Sequence, residues 1–196
     1  MQGIYNFIVK PKNSRHESKK KIGDKEIILN TDLQNHNYVS RVGIVIEEPK
    51  VNNTSICVGD EIIVHHNVFR RFYDVRGNEK NSRSYYKDDM FFVTPDQIFA
   101  YKRMVKWVPL KGFNFVSPIE NNNKFSNDKE KPFVGVLKYK DPFLKQISEN
   151  DIVGFKPGSE YEFIIENKKL YRVPTNSITI KYEHKGNEKE YNPSWA

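Results

Sequence analysis

The chain repeats itself, and this constrains its fold more than any single motif does. NFIVKP (6–11) returns as NFVSP (114–118), and RVGIVIEEP (41–49) as FVGVLKYKDP (133–142). VGDEIIVHH (58–66) returns as ENDIVGFKP (149–157), and MFFVTPDQIFAYK (90–102) as LYRVPTNSITIKY (170–182). The four pairs keep their order. Their offset is 92 residues at Gly43/Gly135, 91 at Asp60/Asp151 and 80 at Ile98/Ile178. The second copy therefore reads as the same unit with a trimmed insertion between its third and fourth elements.

Each copy is a series of short strand-like runs separated by turn residues. Gly43 and Gly135 fall inside a run, where a glycine marks a bulge or a tight bend. Ser177 to Tyr182 alternates as a half-buried strand does. No segment holds a helical period between caps. Aromatic residues at 13% and the abundance of Val and Ile agree with β structure. The expectation is an all-β protein of two tandem small β-barrels, over residues 1–104 and 112–184. Residues 105–111 form the linker, where Trp107 and Pro109 favour packing over free swinging, and 185–196 form a polar tail.

No apolar run approaches the ~20 residues of a membrane helix. The first twelve residues lack the charged start and small-residue cleavage site of a signal peptide. Cys57 is the one cysteine, so no internal disulfide and no CxxC metal pattern exists, and a reducing cytoplasm is the expected compartment. Cys57 precedes a Gly-Asp turn and reads as a core residue rather than a nucleophile. The motifs GxSxG, HExxH, GxxxxGK[ST] and GxGxxG are absent, so no catalytic residue, cofactor or enzymatic activity is assigned. His65 and His66 are adjacent on a strand and point to opposite faces, a poor metal pair. His16, His36 and His184 show no ligand spacing, and no metal is expected. Asp88-Asp89 reads as a turn.

The net charge of +7 permits nucleic-acid binding without establishing it. Seven Lys and Arg concentrate in residues 10–25 against Glu17 and Asp24, a pattern usual for a solvated segment. Directly after that block stands GDKEIILN (23–30), with three bare aliphatics, Ile27, Ile28 and Leu29. Read alone they are either a strand entering the barrel or an anchor that orders on a partner. The matching loop of the second copy, 120–132, carries one apolar residue, Phe125, read as packing on its own barrel. Farther on, VFRRFYDVRG and SRSYYKDD interleave Arg with aromatics. Arg70, Arg71, Phe72, Tyr85 and Tyr86 either form a single-stranded nucleic-acid surface or pack the 65–89 insertion against the barrel or a neighbouring subunit.

FIVKPK (7–12), GDKEIILNT (23–31), SRVGIVIEEP (40–49), CVGDEIIV (57–64) and PDQIFAYK (95–102) in this order resemble the chaperonin-10 family, the GroES-like co-chaperonins. The resemblance covers 1–103 well and 112–183 less well. The tandem form resembles the double-domain co-chaperonins of plastids and suits a phage-encoded one. It implies a flexible loop over 10–36 whose anchor Ile27-Ile28-Leu29 binds a GroEL-type chaperonin. It implies a homo-oligomeric ring, heptameric for a sevenfold chaperonin, that lids a folding chamber in the cytoplasm without hydrolysing ATP. Ring closure in the family pairs first and last strands of neighbours. That role falls on Tyr5, Phe7, Val9, Ile98 and Ala100, or on their second-copy counterparts. The chain departs from the family in two places: 50–56 is too short for a chamber roof, and 65–89 is unusually long.

Overall fold

The computed structural model describes residues 3–16, 19–22, 25–28, 39–51, 54–123, 126–184, 186 and 188–194. The chain divides into two compact units, Met1–Val105 and Lys106–Ala196. Both are built of strands, with 3-10 turns at Pro95–Gln97 and Thr175–Ser177. The first unit carries β1 (Phe7–Pro11), β2 (Lys19–Ile22), β3 (Lys25–Ile28), β4 (Val42–Glu47), β5 (Glu61–Val64), β6 (Arg71–Tyr73), β7 (Glu79–Asn81), β8 (Phe91–Val93) and β9 (Ile98–Arg103). The second carries β10 (Lys106–Pro109), β11 (Phe113–Glu120), β12 (Glu130–Tyr139), β13 (Ile152–Phe155), β14 (Tyr161–Ile165), β15 (Lys168–Pro174) and β16 (Ile178–Tyr182).

The two units use one plan. In the first the strands lie in the order β8-β1-β4-β5-β9; in the second, β15-β11-β12-β13-β16, with β14 added beyond β15. The match extends to single residues. Gly43 stands opposite Pro11 and Gly135 opposite Pro118. The ladder slips between Ile8 and Val9 in one unit and between Phe115 and Val116 in the other. Asp60 accepts a hydrogen bond from the Cys57 N–H at 2.9 Å, and Asp151 one from the Ser148 N–H at 2.7 Å. A short polar side chain that closes its own turn in this way fixes the entry of the next strand.

Consecutive residues are buried rather than alternate ones. Phe7-Ile8-Val9 on β1, Ile62-Ile63-Val64 on β5 and all four residues of β13 are shielded, so both faces of the central strands are covered. In the second unit Val116, Leu137, Val153, Phe155 and Val173 form one core cluster, and Ile119, Val136 and Ile152 another.

Closed barrels are not what forms. Among the described residues no ladder joins β8 to β9 or β10, nor β14 to β16, so the sheets are open. In the first unit the insertion occupies the far edge of β8: Tyr85 bridges Phe91, and the Phe92 N–H donates to the Ser84 carbonyl at 2.7 Å. In the second, β15 folds back on β14 through Glu166-Asn167, both at positive φ, the twist a two-residue hairpin demands.

One local expectation is overturned, at Cys57, and the linker and tail take on definite structure. Residues 106–109 of the expected linker are strand β10, and Trp107 is 1% exposed. Cys57 is exposed, not core; its turn faces outward and Ile56 takes the buried place. The tail docks along the second unit. The Glu120 N–H donates to the Lys189 carbonyl and the Tyr191 N–H to the Pro118 carbonyl, both at 2.8 Å. Asp88 and Asp89 lie at φ 50° and 54°, in the turn before β8.

Candidate functional site: the strand pair at 19–28 and the insertion at 65–89

The segment after β1 is tied at its base. The Lys12 N–H donates to the Val42 carbonyl and the Ser40 N–H to the Arg15 carbonyl, each at 3.0 Å. His16 and Val39 form an antiparallel bridge, and both are buried. Beyond this neck β2 and β3 pair in a two-stranded sheet of their own, Lys19 opposite Ile28 and Ile22 opposite Lys25. Ile27 and Ile28 therefore lie on the second strand of a hairpin that, among the described residues, joins no ladder of the unit's main sheet. Leu29 lies outside the described residues, as do 30–38.

The second unit spans the matching interval by a shorter return. Glu120 pairs with Glu130, and the Asn121 N–H donates to the Lys129 carbonyl at 2.9 Å. Phe125 lies outside the described residues. The two loops thus differ in length, in apolar content and in local pairing, on the same framework.

The long insertion folds onto its own unit. β6 and β7 form a hairpin whose turn is closed by Asp74, which accepts from the Arg76 and Asn78 N–H groups, both at 2.9 Å. Arg71 pairs across it with Glu79 at 3.1 Å. The hairpin is held from the opposite side of the neck by Arg15. Its guanidinium donates to Asn81 Oδ1 at 2.8 Å and lies 4.9 Å over the Phe91 ring and 5.5 Å over Tyr85. Burial, then repulsion from Arg71, lowers the Arg15 pKa. Phe69 meets Phe91 edge-on at 4.9 Å and is fully covered. Two of the five nucleic-acid candidates, Arg71 and Tyr85, are engaged in these contacts. Phe72 and Tyr86 are exposed, and Tyr86 lies 5.0 Å from the exposed ring of Phe92. Arg70 is half-buried.

Arg15 therefore couples the neck of the hairpin to the insertion, a link that residue types alone did not suggest. Replacing it with alanine should cost about 1–2 kcal/mol, the sum of one hydrogen bond and a cation–π contact. Hydrogen exchange over residues 70–83 should accelerate while that of β13 stays unchanged.

Of the subunit-contact candidates only Tyr5 is exposed; Phe7, Val9, Ile98 and Ala100 are fully buried. Both edges of β1 are occupied, by β4 and by β8. A neighbour could pair with β1 only if the three-residue β8 moved aside.

His65 and His66 stack at 4.2 Å, and among the described residues no group of three His, Cys, Asp or Glu is placed to hold a metal. No helix of the described residues is long and apolar enough to cross a membrane. No protein-family model matches the chain, and no curated protein matches it.

Proposed function

We propose that the chain is a tandem GroES-like co-chaperonin, a ring-forming lid that binds an ATP-driven chaperonin of the GroEL type and assists folding in the chamber it closes. The observation that carries this reading is the hairpin of β2 and β3. It bears Ile27 and Ile28, stands apart from the unit's sheet and is pinned at its base, in one of two units that otherwise share a strand order.

The energetics favour a multivalent contact. Burying three aliphatic side chains contributes about 5–9 kcal/mol. Ordering the eight residues around them from a free chain costs about 1–2 kcal/mol each, enough to offset all of that gain. One hairpin binds weakly; several on one ring bind well, because each later contact is intramolecular. A lid that must leave again suits such an arrangement. The second unit, whose return is shorter and carries no aliphatic triad, serves as chamber wall or spacer.

The test is ATP-dependent co-elution with a GroEL-type chaperonin. Wild type should co-elute, and the double change Ile27→Ser, Leu29→Ser should reduce retention at least tenfold. Equal retention of the double variant would overturn the anchor. A stable monomer at micromolar concentration in native mass spectrometry would overturn the ring.

A further inference from the structure

The insertion at 65–89 touches both arms of the neck that carries β2 and β3. On the arm that leaves β1 it is met by Arg15, whose side chain is 13% exposed. Arg15 Nε donates to the Phe69 carbonyl at 3.4 Å, and the guanidinium donates to Asn81 Oδ1 at 2.8 Å and lies 3.9 Å from the Asp89 carboxylate. The same cation lies over the Tyr85 and Phe91 rings. One side chain thus gathers the start of the insertion, the end of β7 and the segment that leads into β8. On the arm that enters β4 the contact is apolar. A Cβ at Gly43 would stand 2.9 Å from Cζ of Phe69, so that ring lies against the backbone of β4.

The insertion is closed on itself where it makes these contacts. The Ser82 hydroxyl donates to the Val68 carbonyl at 2.6 Å, and the Ser82 N–H to the Arg70 carbonyl at 3.1 Å. Phe69 and Asn81 therefore stand at a fixed base from which the neck can be held.

What Arg15 holds at its other end is backbone. Its carbonyl accepts from the Ser40 N–H at 3.0 Å, and the next residue, His16, bridges Val39. Among the described residues this bridge is the last pairing before β2 and after β3. The order of the neck is thereby linked, through one side chain, to the order of the insertion.

The second unit supplies the contrast. Among its described residues there is no counterpart of the β2–β3 pair, and β13 and β14 are joined by residues 156–160 alone. Its glycine, Gly135, is approached by the Ser117 carbonyl and by Val116 of the neighbouring strand, not by an inserted ring. The strand pair and the insertion occur together in one unit and neither occurs in the other.

Resting on the lid reading, we propose that the insertion is a brace for the partner-binding strand pair, with Arg15 as the positioning residue. A partner that takes up Ile27, Ile28 and Leu29 must order the chain that carries them, at a cost in conformational entropy. The brace orders the neck before the partner arrives, so that this part of the cost is not incurred on binding.

The test uses the full chain, as wild type, Arg15→Met and Asn81→Ala. Methionine keeps an unbranched stem at the neck and removes the cation. Asn81→Ala leaves the neck untouched and alters an exposed residue of the insertion. Hydrogen exchange is read first, on the free protein. The neck amides of Lys12 and Ser40 should exchange about tenfold faster in Arg15→Met, and faster by a smaller factor in Asn81→Ala. The amides of β5 should keep their wild-type rates, since only a local opening is affected. Unchanged neck rates would overturn the brace. So would an equal acceleration on β5, which is what a general loss of stability produces. Retention on a GroEL-type chaperonin with ATP is read second, and should fall about tenfold in Arg15→Met although the aliphatic triad is intact. Wild-type retention of a variant whose neck exchanges faster would overturn the brace and leave the lid reading standing. A wild-type chain that is not retained would overturn the lid reading itself, and the brace as an aid to that partner with it.

Discussion

Gly135→Ala should unfold the second unit at a temperature roughly 12–24 °C lower, while the first unit's transition stays in place. A Cβ at Gly135 would fall on the carbonyl oxygen of Ser117 and on Cγ1 of Val116, both on the adjacent strand β11. The carbonyl belongs to backbone and cannot rotate away, so β11 and β12 must separate at this pair. Overpacking of this kind costs about 3 kcal/mol. For a unit of this size each kcal/mol lowers the midpoint by about 4–8 °C. Gly59 is the control: it lies at φ +89° with open space around it, so Gly59→Ala carries backbone strain alone, about 1 kcal/mol, in the other unit. Two resolved calorimetric transitions, of which only the later or the earlier one moves in each variant, would bear this out. A Gly135→Ala chain with wild-type melting would refute the close approach.

Asp141→Ala should cost the second unit about 3 kcal/mol as well, by leaving donors unpaired. Asp141 is buried and accepts from the Gly112 N–H at 2.8 Å, the Phe143 N–H at 2.9 Å and the Thr175 hydroxyl at 2.8 Å. Its own N–H donates to Asn114 Oδ1 at 2.9 Å. Two backbone N–H groups and a hydroxyl thus meet on one carboxylate, tying the start of β11 to the end of β12 and to the turn before β16. Each donor left without an acceptor costs about 1–3 kcal/mol unless water reaches it.

The same site makes a pH prediction. Burial pulls the Asp141 carboxyl upward, but the hydrogen bonds from Phe143, Gly112 and Thr175 outweigh it and hold the group below its ordinary value. As pH falls, the unfolded chain takes up its proton first, near pH 3.9. The stabilisation is therefore complete above about pH 4 and is lost as pH drops through the depressed folded value. Asp151, held down by Lys181 and the Ser148 N–H, adds to the same acid limb. Urea midpoints of the second unit measured between pH 7 and pH 2.5 should fall steeply below pH 4 in wild type. In Asp141→Ala they should start lower and fall less. An unchanged slope would show that Asp141 is not held in its charged form.

Much of the framework was legible in residue order. The repeat located the glycines that later proved to face Pro11 and Pro118, and the Gly-Asp and Asn-Asp turns that later proved to be closed by their own aspartates. It also marked the one loop with an aliphatic triad and the one insertion without a counterpart. These are local signals: a turn needs its own four residues, and a strand needs a run of β-branched or aromatic ones. Barrel closure was not legible, since it depends on which edge a remote segment occupies. Here residues 84–86 occupy one edge of β8, and β14 occupies one edge of β15.

By itself the amino-acid sequence determined the β class, the two-unit plan with its division close to residue 105, and the contrast between the loop at 12–40 and its counterpart at 120–132. Only the tertiary structure decided which polar and aromatic groups share a site. Phe133 and Phe155 sit on β12 and β13, Tyr171 on β15, two strands beyond β12, and Tyr191 on the docked tail. Arg15 meets Asn81 across 66 residues of chain. Contacts between groups so far apart in sequence are set by strand register and by the edges left open once the sheets have formed, and no local pattern encodes either.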